Sequence, residues 1–157
     1  MKIFLSAVFL VCLIYPGLHS QTFGELNCDL AAKAKFKKGK LTVCKKTLDV
    51  EIADNDILRA IGLMCRDSMP KNNGMIFMFQ EERTLSFWMK NTRIPLSIGY
   101  FNKNKELMDI YDMEPMLENK FYASKKPAQY ALETNQGWFK NNKVKPGCKF
   151  DLVNLPE

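Results

Sequence analysis

The sequence predicts a single compact α+β domain, mostly β, in which a twisted antiparallel sheet or small barrel carries one or two short helices. Three observations favour this fold class. Several short segments alternate polar and apolar residues, as half-buried strands do. Turn residues separate these segments at short intervals, and only brief stretches carry the capping signals of helices. No repeat or low-complexity tract divides the chain, so we expect one domain.

The predicted elements follow one another from residue 47. A strand covers 47–52, and a short helix capped by Asp54 or Asn55 covers 57–62. The later elements are a turn at 72–74, a strand over 75–79, a turn at 81–83, a strand over 85–89, a hairpin formed by 98–101 and 106–111, a loop over 113–127, a strand over 129–134, a helix over 137–140 capped by Asn135, and a strand over 149–153. Loops as long as 113–127 are often functional.

The first 20 residues have the pattern of a removable signal peptide. Lys2 precedes an uncharged apolar run from Ile3 to Tyr15, Pro16 interrupts that run, and Ser20 supplies a small residue for cleavage. The run is shorter than the roughly 20 residues that a membrane-spanning helix needs. We therefore expect a periplasmic or secreted domain with no transmembrane anchor after cleavage.

Cleavage would change which chemistry is available to the mature chain. His19 is the only histidine, so the remaining residues have no imidazole for general-base catalysis, for a nucleophilic triad or for metal binding. The cysteines that remain are not spaced as in structural zinc sites. We therefore predict no metal, no cofactor and no assignable catalytic residue.

Four cysteines remain after Cys12 is removed, and they are predicted to form two disulfides in an oxidising compartment. Three pairings are open. We favour Cys28 with Cys44 and Cys65 with Cys148, because the first bond would hold a basic N-terminal segment that has little to bury.

The mature chain is basic, with 22 Lys and Arg against 17 Asp and Glu, a net charge of +5. Much of the excess lies in a basic N-terminal arm over 21–46. One interpretation is attraction to an anionic surface of the cell envelope, and the other is a solvated arm. Nucleic acid is not an expected partner of an exported chain. The lysines concerned are Lys33, Lys35, Lys37, Lys38, Lys40, Lys45 and Lys46.

Five blocks of the sequence resemble, in order, the family known as domain of unknown function 192. The most specific is Phe87-Trp88-Met89-Lys90-Asn91-Thr92, and the others are 62–66, 74–79, 113–115, and 130–133 followed by Gly137-Trp138. The resemblance covers roughly 47–153 and places such a domain over 47–157. It implies a mostly β domain, often exported in prokaryotes, with no settled activity. The chain departs from the family pattern at Ser97, where aspartate is usual, and at Cys65, where an aromatic residue is usual.

Eight side chains in or beside these blocks are candidate ligand-binding residues. An indole beside amide, hydroxyl and ammonium groups suits a sugar or a carboxylate ligand. The alternative is structural, with the indole covering the sheet, the polar residues capping a turn and the charged residues forming a buried ion-pair network. The candidates are Arg66, Trp88, Lys90, Asn91, Thr92, Glu114, Glu133 and Trp138.

The favoured function is therefore an exported, non-enzymatic binding module for an envelope glycan or another small polar ligand. A carboxylate-dependent hydrolase of envelope polymer is the first alternative, because Glu114 and Glu133 would supply the paired carboxylates of a glycosidase. An accessory subunit of an envelope complex is the second.

Overall fold

A computed structural model describes residues 27–153 of the chain. The proposed signal peptide at 1–20 lies outside the described residues. Seven strands form one mixed sheet, and two short strands form a second sheet. The prediction of a single, mostly β domain with short helices is confirmed, and the sheet is open rather than closed into a barrel.

The described residues contain three short helices and nine strands. In chain order they are α1 (Cys28–Lys33), β1 (Lys37–Val43), β2 (Lys46–Ala53), α2 (Asp56–Ile61), β3 (Asn73–Arg83), β4 (Ser86–Phe87), β5 (Leu96–Phe101), β6 (Leu107–Met113), β7 (Tyr122–Ala123), β8 (Ala128–Asn135), α3 (Trp138–Asn141) and β9 (Phe150–Val153). None of the helices within 27–153 is long and apolar enough to cross a membrane.

The strand order of the large sheet is β6-β5-β8-β3-β2-β1-β9, and β4 pairs with β7 separately. The sheet is mixed because β2 and β3 are parallel, whereas its other neighbouring strands are antiparallel. A parallel pair needs a long crossover connection, and the segment that carries α2 supplies it. This crossover brings α2 and the loop after it over the middle of the sheet, where the candidate site lies.

The capping prediction is confirmed for α2 and wrong for α3. Asn55 caps α2, since its side chain accepts a hydrogen bond of 3.0 Å from the Leu58 N–H. At α3 the N-cap is Gly137, with a φ of 78° and no side-chain cap. Asn135, the predicted cap, instead donates its side-chain amide to the carbonyls of Met69 and Pro70. It therefore fixes the loop before β3.

The turn predicted at 81–83 is wrong, because β3 continues to Arg83. A register irregularity between Met78 and Arg83 interrupts the pairing of β3 with β8. The side chain of Gln129 donates to the carbonyls of Phe79 and Gln80 at this point. These hydrogen bonds come from a residue far along the chain. The charged residues at 81–83 therefore could not indicate that the strand continues.

β1 lies inside the segment that the sequence analysis assigns to a basic arm. It pairs with β2 on one side and β9 on the other, and Leu41 and Val43 are fully buried. The order Lys40-Leu41-Thr42-Val43 alternates polar and apolar residues, as a half-buried strand does. The sheet therefore begins before residue 47, and several of the arm's lysines project from its surface.

Two disulfides are present, but the favoured pairing is wrong. Cys28 bonds Cys65, and Cys44 bonds Cys148. Cys44 lies in the turn between β1 and β2, and the pairing of β1 with β9 brings the segment before β9 alongside it. Cysteines 104 residues apart are neighbours because of sheet order. Pairing of the nearest cysteines in sequence could not anticipate that.

Two apolar clusters stabilise the domain. Trp138 and Phe139 of α3 pack into one cluster with Leu132 of β8. Met75 and Ile98 belong to the other, together with residues of α2, β4, β7 and the loops beside them. Alternate residues of β8 contribute to each cluster, as the period of a strand requires. The second cluster surrounds the candidate site.

Candidate functional site

Glu133 is a buried carboxylic acid near the middle of the sheet. Its backbone is in register with Met75 on β3 and with Ile98 on β5, and the residue is only 4% exposed. Burial raises the pKa of Glu133 to about 8, and the positive charge of Arg66 offsets part of that rise. At neutral pH the group is mostly protonated, so it is both a hydrogen-bond donor and an acceptor.

Arg66 reaches over the same part of the sheet from the loop after α2. Its guanidinium forms an ion pair with Glu51 of β2 and lies 5.8 Å from the ring centroid of Phe36. Glu51 is in register with Met75, which is itself in register with Glu133. Glu51, Met75 and Glu133 therefore form a row across three strands, with an acidic residue on each side of Met75. Arg66 lies over this row.

A small cavity of about 40 Å³ adjoins Glu133. Trp88, Thr92 and Glu133, which are three of the predicted site residues, all line it. Gly62, Leu63 and Met64 after α2, and the rings of Phe77 and Phe87, are among the other lining residues. Arg59 lines it as well, so the cavity combines one buried carboxyl group, one hydroxyl-bearing residue, one arginine and aromatic side chains.

Trp88 extends from the cavity to the surface. The residue is 38% exposed, and its ring stacks on the exposed Phe121 at a centroid distance of 6.0 Å and an interplanar angle of 14°. The ammonium nitrogen of Lys90 lies 5.3 Å from the centroid of Trp88. An amphipathic aromatic surface therefore lies beside the cavity.

Asn91 and Thr92 form the turn that follows Trp88. Asn91 has a φ of 52°, and its carbonyl accepts a hydrogen bond of 2.7 Å from the Cys65 N–H. Thr92 is buried, and its hydroxyl donates to the carbonyl of Lys90 at 3.1 Å. The backbone of this turn thus ties the aromatic segment to the disulfide between Cys65 and Cys28.

The comparisons with known proteins identify the family. DUF192, described as "Uncharacterized ACR", matches residues 26–152. The chain belongs to the DUF192 family. This confirms the resemblance that the five sequence blocks indicated.

Three relatives of the DUF192 domain illustrate its family. A UPF0127 protein of Pyrococcus furiosus is 28% identical over 106 residues, which cover 66% of this chain and 86% of the relative. A solved structure from Sinorhizobium meliloti 1021, named as that of a proposed transcription regulator, matches with a TM-score of 0.72 and 29% identity, over 76% of this chain and 97% of the other. A protein of unknown function from Novosphingobium aromaticivorans matches with a TM-score of 0.70 and 28% identity, over 77% and 95%.

A charged groove that no sequence pattern predicted adjoins the cavity of the DUF192 domain. Arg59 and Arg83 each lie 4.9 Å from the ring centroid of Phe79. Arg59 also donates to the Met78 carbonyl at 2.7 Å and forms an ion pair of 2.6 Å with Asp56. Asp56, Arg59, Phe79, Arg83 and Trp88 are among the residues that line a groove of about 400 Å³. Arg59 and Arg83 are far apart in sequence and share no motif, so no local pattern indicated the groove.

Two predicted site residues lie elsewhere in the DUF192 domain. Glu114 is exposed, forms an ion pair of 2.9 Å with Lys120 and is not among the residues that line the Glu133 cavity. Trp138 is buried in the opposite apolar cluster, and its indole N–H has no hydrogen-bond partner among the described residues. The proposed pair of Glu114 with Glu133 therefore does not share this cavity.

Ser97 shows how this DUF192 domain differs from the family pattern. Its hydroxyl donates to the carboxylate of Asp112, its register partner on β6, and accepts a hydrogen bond of 2.8 Å from the Gly137 N–H. A carboxylate is thus present beside position 97, although a neighbouring strand supplies it. Among residues 27–153, no group of His, Cys, Asp and Glu side chains could hold a metal ion.

Proposed function

We propose that this DUF192 domain is an exported, non-enzymatic binding module for a small polar ligand, with a glycan of the cell envelope as the target class. One observation carries the proposal. Trp88, Thr92 and Glu133 come from distant parts of the sequence and line one cavity, with a partly exposed indole and a buried carboxyl group. A concave site with aromatic walls and a few polar groups is typical of small-ligand binding.

The adjoining groove supports a ligand larger than the cavity itself. Trp88 lines both spaces, so a sugar ring stacked on its indole would lie beside Arg59 and Arg83. Guanidinium groups bind carboxylates and phosphates through paired hydrogen bonds. A glycan that carries acidic groups therefore fits the groove better than a neutral one.

The two disulfides support a location outside the cytoplasm, because such bonds persist in oxidising compartments. We accordingly propose that the domain acts in the periplasm or after secretion. The signal-peptide pattern at residues 1–20 is the sequence feature behind this proposal.

The arrangement of carboxylates favours binding over hydrolysis. Glycosidases hold two carboxyl groups on opposite sides of the bond that they cleave. Glu133 is the only acidic residue that lines its cavity among the described residues, and Glu114 is exposed and paired with Lys120.

The other alternative is a role as an accessory subunit of an envelope complex. The exposed stack of Trp88 and Phe121 supports it, because aromatic residues are enriched at protein interfaces.

The test is a binding screen of the full, disulfide-bonded chain against neutral and acidic envelope glycan fragments, followed by tryptophan fluorescence. Trp88 is partly exposed and Trp138 is buried, so a bound glycan should change the emission of Trp88 first. We expect Trp88→Ala to weaken binding about fivefold, since stacking on an aromatic face contributes about 1 kcal/mol.

Val153→Ala is the matched control, because Val153 is also exposed and apolar but lies on β9 at the far edge of the sheet. It should bind as the wild type does. Equal binding by Trp88→Ala, with its thermal unfolding unchanged, would reject this site. Failure of every glycan to bind would reject the ligand class.

A further inference from the structure

We infer that the Glu133 cavity binds a primary ammonium group, so that the ligand presents a small cation to the buried carboxylate while its remainder lies in the groove of Arg59 and Arg83. This inference rests on the proposed binding function and specifies the chemistry of the ligand. Four features of the cavity support it: its size, its aromatic walls, the incomplete neutralisation of Glu133 and the opposite charge of the groove outside.

The size of the cavity restricts what can enter it. A volume of about 40 Å³ exceeds the roughly 10–15 Å³ that a cavity needs to hold one water molecule. An ammonium group, alone or with one attached carbon, fits such a space. The adjoining groove, of about 400 Å³, is the larger space and would take the rest of the ligand.

The walls of the cavity suit a cation. Phe77, Phe87 and Trp88 all line it, and the rings of Phe77 and Phe87 meet edge to face at 4.8 Å. Aromatic faces attract cations through their quadrupoles, and the attraction is stronger where water is excluded. Thr92 adds a residue with a polar side chain to the same wall.

A negative charge on Glu133 would not be fully balanced by a positive charge within the protein. Arg66 is the cation that acts on it, but the guanidinium of Arg66 already forms an ion pair with Glu51. Burial outweighs the remaining attraction, so the proton stays on Glu133 near neutral pH. An ammonium group delivered into the cavity would displace that proton and supply the missing positive charge.

The groove outside has the opposite preference. Arg59 lines both spaces, but its guanidinium is paired with Asp56 and donates to the Met78 carbonyl, whereas Arg83 lines only the groove and Glu133 only the cavity. Two sites of opposite charge joined by Trp88 match a ligand with an amine at one end and an acidic or hydroxyl-rich body. An amino sugar and a phosphoethanolamine headgroup both have this form.

The pH dependence of binding tests the inference directly. Below about pH 8 the ammonium group must displace a proton from Glu133, so its affinity should rise nearly tenfold per pH unit between about pH 6 and pH 8 and then level off. The charged and titratable groups around the site are Arg66 and its partner Glu51, Tyr100 on β5, Arg59 in the cavity wall and Lys90 beside Trp88.

The experiment is an NMR titration of the full, ¹⁵N-labelled, disulfide-bonded chain with methylamine at constant ionic strength. Methylamine has only two non-hydrogen atoms, and so small a ligand reaches a dissociation constant of roughly 10 mM at best. The titration therefore extends to about ten times that concentration. Shifts are expected at the Gly62 amide and the Trp88 indole. Methanol, which has the same shape without the charge, should shift neither.

Glu133→Gln removes the ionisable group while it keeps the shape. We expect this variant to bind methylamine at least about tenfold more weakly at pH 8 and to lose the pH dependence. Glu114→Gln is the matched control, because it removes an exposed carboxylate outside the cavity and should behave as the wild type does. Amide spectra of both variants verify the fold.

Three outcomes would overturn the inference: equal shifts with methanol, an affinity that falls above pH 8, or wild-type binding by Glu133→Gln. None of these would reject the glycan proposal, whose test is the effect of Trp88→Ala on glycan binding. Glucosamine and phosphoethanolamine, titrated in the same way, then distinguish an amino sugar from a headgroup. Of these two amines, the one that binds more tightly with the pH dependence of methylamine shows which kind of ligand the cavity takes.

Discussion

At the scale of the residue, Glu133 shows how position changes the chemistry of a side chain. The residue is only 4% exposed, so a charge there would lose water, and the positive charge of Arg66 offsets only part of that cost. Burial therefore raises its pKa to about 8, against an ordinary value near 4.3. The sequence singled out Glu133 as a carboxylate, but its protonation depends on three strands and a loop.

Glu133 should make the stability of the domain depend on pH. Between its ordinary pKa and about 8, the folded state keeps a proton that the unfolded state has released, so the free energy of unfolding falls as pH rises through this window. Glu133→Gln removes the contribution. At ~1.4 kcal/mol per pKa unit, we expect the variant to gain a few kcal/mol relative to the wild type between about pH 5 and pH 9.

Urea unfolding of both proteins at several pH values in this range measures the difference. The exposed Glu114→Gln serves as the control and should follow the wild-type profile. Parallel pH profiles for wild type and Glu133→Gln would show that Glu133 ionises normally in the folded protein.

At the scale of the element, the pairing of β3 with β8 determines whether the site exists. Phe77 of β3 and Glu133 of β8 both line the cavity, and Gly74 of β3 lies against the backbone of Glu133. The sequence predicted both strands and the helix between β2 and β3. It did not predict that β2 and β3 are parallel, because that arrangement depends on a crossover rather than on a turn.

Gly74→Ala should disrupt this pairing. A Cβ at residue 74 would lie 2.5 Å from the carbonyl oxygen of Glu133, and backbone atoms in a sheet cannot move aside as a flexible side chain can. We expect a loss of about 2–4 kcal/mol in the free energy of unfolding, measured by urea denaturation.

Gly147→Ala gives a scale for this effect. Gly147 has nothing within 4 Å of the added Cβ but has a φ of +92°, so only backbone strain should oppose alanine there. A cost of about 1 kcal/mol is expected. If Gly74→Ala costs no more than Gly147→Ala, the strands have more freedom at this position than the structure shows.

At the scale of the whole molecule, one disulfide joins segments near the two ends of the described chain, and the other joins its first helix to a loop beside the site. Cys44–Cys148 joins the turn after β1 to the segment before β9, and Cys28–Cys65 joins α1 to the loop that follows α2. The second bond lies beside the site, because the Cys65 N–H donates to the carbonyl of Asn91.

Loss of the longer-range disulfide should be the more damaging. The two bonds span sequence separations of 104 and 37 residues, and the chain-entropy model gives the longer loop a stabilisation larger by about 1 kcal/mol. We therefore expect Cys44→Ser with Cys148→Ser to destabilise the domain more than Cys28→Ser with Cys65→Ser, as measured by urea unfolding. A non-reducing peptide map should first recover the two linked peptides, and a Cys28–Cys44 peptide would contradict the structure.

The sequence by itself determined the mostly β fold, the presence of strands and short helices, the family and the residue types of the site. These properties depend on local patterns, such as the alternation in 47–52 and the cap at Asn55, or on the ordered string from Phe87 to Thr92. Only the tertiary structure decided which cysteines bond, that Glu133 rather than Glu114 adjoins Trp88, and that Arg59 and Arg83 form a groove. Those outcomes depend on strand order and burial, which arise from contacts between residues far apart in the chain.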